Sequence, residues 1–218
     1  MIYAADLRRN RENRTNYRKR AAMLLGKQCF VSITVSNQNV KAQVLKPFSQ
    51  GDKVVSATFS KELVKFGWKG SMKGIPACYL TGLLLGIKTL GQGITSLILY
   101  TGKGSFTSRV AACLKGMIDA GLRVPVSEVS LPNNERLSGT HVAQYAALLK
   151  QDGDRYRSQF SLLLKNGFLP ENYPNYFEEV KSRIINSGTV VANSAATTAT
   201  NNTTTTSSTG TTGVTRLT

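Results

Sequence analysis

Apolar and polar residues alternate through the segment from Phe30 to Phe59. Val31, Ile33 and Val35 share one face of an extended chain, and Ser32 and Thr34 the other. Ser36-Asn37-Gln38-Asn39 reads as a turn, after which Val40, Ala42 and Val44 oppose Lys41 and Gln43. A period of two on both sides of a polar turn predicts an antiparallel hairpin with one apolar face. Pro47 to Lys53, with Gly51-Asp52, is a second turn. Val54–Phe59 then forms a third strand, with Val55, Ala57 and Phe59 expected to face inward.

The period changes after Lys61–Gly74, a basic connection around Phe66-Gly67-Trp68-Lys69. Pro76 suits the first turn of a helix. Leu80, Leu83, Leu84 and Ile87 recur at spacings of three and four, the helical period. Gly82 and Gly86 lower helix propensity, so a close packing contact is expected there. Ser96–Tyr100 reads as a short central strand, and Thr101–Ser108 as a loop. Val110, Leu114, Met117 and Ile118 mark one face of a second helix, with Gly121 past its end. The order is β-β-β-α-β-α, an α/β (α+β) class with a mixed sheet.

Flanking segments complete the layout. Thr15–Gly26 reads as a leading helix with Tyr17, Ala21, Leu24 and Leu25 on one side and Gly26 ending it. Pro125 to Leu137 reads as loop, and Thr140–Lys150, Asp154–Lys165 and Asn175–Asn186 as three helices. Ser187–Thr218 is Thr, Ser, Asn and Ala with Arg216 as its only charge, a composition that predicts disorder. The expected units are 1–26, a basic arm and leading helix; 27–126, an α/β core; 127–186, a helical extension; and 187–218, a low-complexity tail.

Charge changes the picture. The 218 residues hold 28 basic and 12 acidic side chains, a net +16. Met1–Ile118 carries 19 of the basic residues and 4 of the acidic ones, and no acid occurs between Leu63 and Ile118. Such one-sided charge points to a nucleic acid or an anionic surface rather than to solubility alone, because a solvated face mixes signs. The densest stretch is Leu7–Arg20, where Arg8, Arg9, Arg11, Arg14, Arg18, Lys19 and Arg20 stand against Glu12. Its first half has no apolar face to offset the entropy of ordering it, so it is expected to order on a polyanion, read as RNA. No apolar run reaches the roughly 18 residues that span a bilayer.

Catalytic chemistry is hard to place. His141 is the only histidine and reads as a helix-start residue packed on a neighbour. No acid lies on a predicted strand, and Glu178 and Glu179 are helical neighbours that diverge. Asp152 and Asp154 read as helix-start caps. Cys29, Cys78 and Cys113 are odd in number, far apart and set in apolar runs, which suits reduced core thiols better than disulfides or a zinc site. Gly102-Lys103-Gly104 lacks the first glycine and the final Ser or Thr of a phosphate loop, although Lys103 and the glycine amides suit a phosphate contact. Phe66 reads as core. For Trp68, base stacking and core packing both stay open, and it is kept with Lys69 among the RNA-binding candidates. No enzyme activity, metal or cofactor is expected. The competing classes are a basic protein that binds nucleic acid without specificity and a nucleic-acid-processing enzyme.

Arg8-Arg9-Asn10-Arg11-Glu12-Asn13-Arg14-Thr15-Asn16-Tyr17 resembles the basic arm of the archaeal-type large-subunit ribosomal protein eighteen family, whose eukaryotic counterpart is ribosomal protein five. Five further stretches resemble the family in the same order: 35–43, Phe66-Gly67-Trp68, Pro76-Ala77-Cys78-Tyr79-Leu80-Thr81-Gly82-Leu83-Leu84, 115–122 and Gly139-Thr140-His141-Val142-Ala143-Gln144-Tyr145. Together they run from about residue 7 to about residue 186. Leu99-Tyr100-Thr101 replaces an acid-containing strand end, Val124-Pro125-Val126 lacks the family's histidine after proline, and the 103–108 loop differs in detail.

The resemblance implies a cytoplasmic, ribosomal protein that binds 5S ribosomal RNA and fixes it in the central protuberance of the large subunit. Its implied partners are 5S and large-subunit RNA and neighbouring large-subunit proteins, with no membrane and no small-molecule substrate. By matching position it implies RNA contacts from Arg8, Arg9, Arg11, Arg14, Tyr17, Arg18, Asn37, Asn39 and Lys41. It also recasts His141 as part of a helix-start motif.

Overall fold

The computed structural model describes residues 5, 7–12, 15–102 and 104–200; Arg14, Lys103 and the chain from 201 to 218 lie outside the described residues. The alternating segment forms three antiparallel strands, β1 (Phe30–Val35), β2 (Val40–Lys46) and β3 (Lys53–Phe59). Val31 pairs with Val44, Ile33 with Ala42 and Val35 with Val40, so the apolar sets of β1 and β2 share the inner face. Ser36 closes the first turn: its N–H donates to the Asn39 carbonyl at 2.8 Å, and its Oγ accepts from the Asn39 N–H at 3.0 Å.

The third strand corrects an expectation. Ser56 and Thr58, not Val55, Ala57 and Phe59, take the core side. Val44 pairs with Ser56 but Leu45 pairs with Val54, which leaves Val55 as an unpaired extra residue in a bulge. Directly opposed residues share a face, so the partners of Ala42 and Val44 must point inward. A one-residue offset in register inverts every side chain of a strand.

The fourth strand is also corrected. β4 (Ile98–Leu99) is two residues long and joins β1 in parallel, giving the order β3-β2-β1-β4. It is therefore an edge strand, not a central one.

Helices α3 (Ile75–Leu90) and α4 (Ser108–Asp119) cover the inner face. Their contact depends on glycine. A Cβ on Gly82 would collide with the Cys113 carbonyl oxygen, one on Gly116 with the Tyr79 carbonyl, and one on Gly86 would lie 2.5 Å from the Ala120 Cβ. The expected close packing is thus backbone against backbone. Tyr79 donates to Asp119 Oδ2 at 2.9 Å across the same pair.

Before the sheet come α1 (Arg8–Arg11) and α2 (Tyr17–Gly26). The left-handed residue that stops α2 is Lys27, at φ 50°, and not Gly26. After α4 the chain runs through α5 (Asn134–Ser138), α6 (Thr140–Leu149), α7 (Gly153–Gln159), α8 (Ser161–Lys165) and α9 (Tyr173–Thr200). The expected Asp154–Lys165 helix is broken at Phe160, which is buried, and α5 lies inside the expected loop. Asp152 holds the N-cap position of α7 without a side-chain cap bond. Phe168, Tyr173, Phe177, Val180 and Ile184 join the same core as Val31, Val44 and Leu83. Helix α9 is drawn as far as Thr200.

Candidate nucleic-acid interface

Among the described residues, the arm bonds to the body through Arg20. Arg20, in the first turn of α2, donates to Asp52 Oδ2 at 2.7 Å and to the Phe48 carbonyl at 3.1 Å. Both acceptors belong to the turn between β2 and β3. The bond to Asp52 raises the Arg20 pKa above its ordinary value against the opposing effect of burial. Arg20 was expected to meet phosphate; instead its fork is spent inside the protein, where it fixes the direction of α2.

The other basic residues of the arm, among the described ones, face solvent. Arg8 pairs with Glu12 at 2.8 Å, a surface contact one helical turn apart, and Arg9 donates to Thr15 Oγ1 at 2.9 Å. Arg11, Tyr17, Arg18 and Lys19 are exposed. Leu25 on the same helix is 83% exposed, and α2 buries none of its residues fully. The apolar side expected on this helix is therefore largely uncovered.

A second basic feature lies on the far side of the hairpin. Asn37 and Asn39 on the first turn, Lys61 and Lys65 on the 3₁₀ helix Ser60–Phe66, and Lys69 and Lys73 on the following loop line one groove of about 1120 Å³. Val64, 56% exposed, and Leu162 of α8, 68% exposed, supply apolar surface to it. No acid lines this groove, and none of its four lysines is in an ion pair among the described residues. The nearby acid, Glu62, is held elsewhere: it accepts from the Phe59 N–H at 3.1 Å and pairs with Lys88 at 2.6 Å.

The groove is stapled by three long-range or local bonds. Arg183 of α9 donates to the Phe66 carbonyl at 3.1 Å, Trp68 Nε1 to the Ser71 carbonyl at 3.3 Å, and Asn166 Nδ2 to the Lys69 carbonyl at 3.2 Å. Gly67 permits the bend with φ 90°. Ser60 Oγ contacts Asn39 Oδ1 at 3.4 Å and accepts from the Val40 N–H at 3.1 Å, tying the hairpin turn to the 3₁₀ helix.

Trp68 corrects the stacking expectation. The residue is 1% exposed and meets Phe168 and Tyr173 edge-on, with centroids 6.3 and 5.5 Å away. Both partners are core aromatics, so no ring face is left for a base. Lys41 is exposed on the outer face of β2, opposite Thr34 and Phe59, and does not line the groove.

Asn37, Asn39 and Lys69, candidates from the sequence, thus share one groove apart from the arm, and Lys61, Lys65, Lys73 and Asn166, which were not candidates, line it with them. The lysines had a signal: residues 61, 65, 69 and 73 recur at a spacing of four. Asn166 and Leu162 had none, because only the tertiary fold carries α8 to the hairpin.

His141 sits at the start of α6 beside a separate cavity of about 640 Å³, with Pro76, Thr107, Ser108 and Arg109 also lining it. Its Nδ1 is buried without a hydrogen-bond partner. No carboxylate lines this cavity. Among the described residues no group of three His, Cys, Asp or Glu side chains could hold a metal ion, and no helix is long and apolar enough to cross a membrane.

Comparison with known proteins fits the basic arm and the mixed sheet into one family. The family described as "Ribosomal large subunit proteins 60S L5, and 50S L18" matches residues 2–103. The large ribosomal subunit protein uL18 of Methanococcus maripaludis is 41% identical over 186 residues, covering 84% of this chain and 96% of the relative. On that match the chain belongs to the large ribosomal subunit protein uL18 family.

Proposed function

We propose that this protein is a structural, non-catalytic constituent of the large ribosomal subunit in the cytoplasm, where it binds 5S ribosomal RNA and anchors it in the central protuberance. The observation that carries the reading is the pairing of an exposed arginine arm with a body that orients it through Arg20 and Asp52. Family membership supports it. Arginine forks on the arm bind phosphates with charge-assisted bonds, which give affinity with little sequence information. The hairpin turn and outer face of β2 supply shape recognition, since side chains do not enter the deep A-form major groove.

Competition of 5S RNA against bulk tRNA for the full chain at moderate salt tests this. Preference for 5S RNA, lost on deletion of residues 1–20, is the expected result. Equal competition would instead indicate a non-specific basic protein. If the six basic residues of the arm other than Arg20 each neutralised a phosphate, the salt slope would be roughly −4, at about −0.7 per contact on a single-strand-like lattice.

A further inference from the structure

We infer that the groove between the hairpin turn and the Trp68 loop is a seat for an unpaired, extended stretch of RNA, with Lys61, Lys65 and Lys73 joining Lys69 as phosphate ligands. This rests on the RNA-binding reading above and adds to it a surface, three residues and a strand type. Charge complementarity selects the occupant class. Four lysines without ion pairs, in a groove that no acid lines, form a concentrated positive field among the described residues, and a polyanion is the ligand that relieves it.

The lining selects RNA over an acidic peptide. Asn37, Asn39 and Asn166 offer amide donors and acceptors that suit base edges, while Val64 and Leu162 offer apolar surface for the faces of bases or sugars. An acidic peptide would use the lysines and leave that apolar and amide surface unmatched. The groove also selects an unpaired strand over a duplex. A duplex turns its bases inward and presents phosphates and sugars, whereas apolar floor beside lysines matches a splayed strand. The site is built in advance: the bonds from Arg183, Trp68 and Asn166 hold the loop from both sides. A preformed groove loses little conformational freedom on binding.

The test is lysine-modification footprinting of the full chain, read by mass spectrometry, with a single-stranded uridine oligomer, a duplex of equal length and an oligoglutamate as separate probes. The uridine oligomer is expected to protect Lys61, Lys65, Lys69 and Lys73, and the other two probes to leave them reactive. The triple variant Lys61→Gln, Lys65→Gln, Lys73→Gln, checked for native circular dichroism, should lower the magnitude of the salt slope for the oligomer by about 2, at about 0.7 per lost contact. Equal protection by oligoglutamate would overturn the proposal in favour of a protein partner, and equal protection by duplex would overturn the strand type. Protection by none would remove the site. If 5S RNA binds well while these lysines stay reactive, the groove falls and the ribosomal reading stands. If the oligomer protects them while 5S RNA binds no better than tRNA, the groove stands and the 5S reading falls.

Discussion

Arg20 and Asp52, 32 positions apart, meet at 2.7 Å and join the arm helix to the turn between β2 and β3. Both side chains are about a quarter exposed or less, at 24% and 22%. Asp52 Oδ1 is buried and has no other partner, so the pair is the principal constraint on that carboxylate. Arg20→Ala is expected to cost only about 1 kcal/mol in denaturant unfolding, as partly exposed pairs do. Its larger effect is on the arm. Trypsin cleavage at Arg18 and Lys19 should accelerate in the variant while cleavage in the sheet does not; unchanged rates would mean that the pair does not hold α2.

The glycine contact between α3 and α4 gives a second expectation. Gly82→Ala places a methyl group on the Cys113 carbonyl, and no flexible side chain can move aside. Overpacking against backbone should cost about 3 kcal/mol, visible as a lower denaturation midpoint. Gly91→Ala is the control. It follows the same helix, and the nearest atoms to its added methyl are at 3.6 Å, so its effect should be small.

Trp68→Ala should behave as a core mutation. Truncating a buried indole leaves a cavity among Phe168 and Tyr173 and should cost about 3 to 5 kcal/mol. Any change in RNA affinity measured on the fraction that remains folded should be smaller than the loss of stability, since the groove loses only the loop bond to Ser71. A selective loss of RNA binding at unchanged stability would restore the stacking role that the structure removes.

Alkaline pH should destabilise the fold. Burial pushes the Cys78 thiol up to about 12 from 9.0, and also raises Cys113, Tyr79 and Tyr173. These groups stay protonated in the folded chain after their unfolded counterparts ionise. Between pH 9 and about 12 the unfolded state therefore binds fewer protons, and Cys78 alone lowers stability by up to about 1.4 kcal/mol per pH unit. Denaturant midpoints should fall across this window. A thiol reagent at pH 8 should reach the half-buried Cys29 well before Cys78 or Cys113.

Much of the fold was legible because period is a local property. The hairpin, its Ser36–Asn39 turn, the Pro76 helix start and the two helical glycines all announced themselves in residues a few positions apart. The inverted faces of β3 did not. Ser56 and Thr58 are poorer core residues than Val55 and Phe59 by composition, and only the bulge at Val55 puts them inward. Residues whose roles depend on distant partners were misread for the same reason. Arg20 looked like its arginine neighbours until Asp52 was seen beside it, and Trp68 stayed open between stacking and core until Phe168 and Tyr173 closed over it. Asn37 and Lys69 stood out as separate candidates, but the groove that both line is closed by α8, about a hundred residues later in the chain, since Asn166 and Lys69 are 97 positions apart.

At Gly82 and Gly116 the peptide groups of α3 and α4 abut directly. Two cylinders joined through interdigitating leucines can slip by changing rotamers; two joined through bare main chain have no such lubricant. The pair is thus a stiff girder, and whatever lies at its ends keeps a constant spacing. A particle assembled around it inherits that spacing as a ruler.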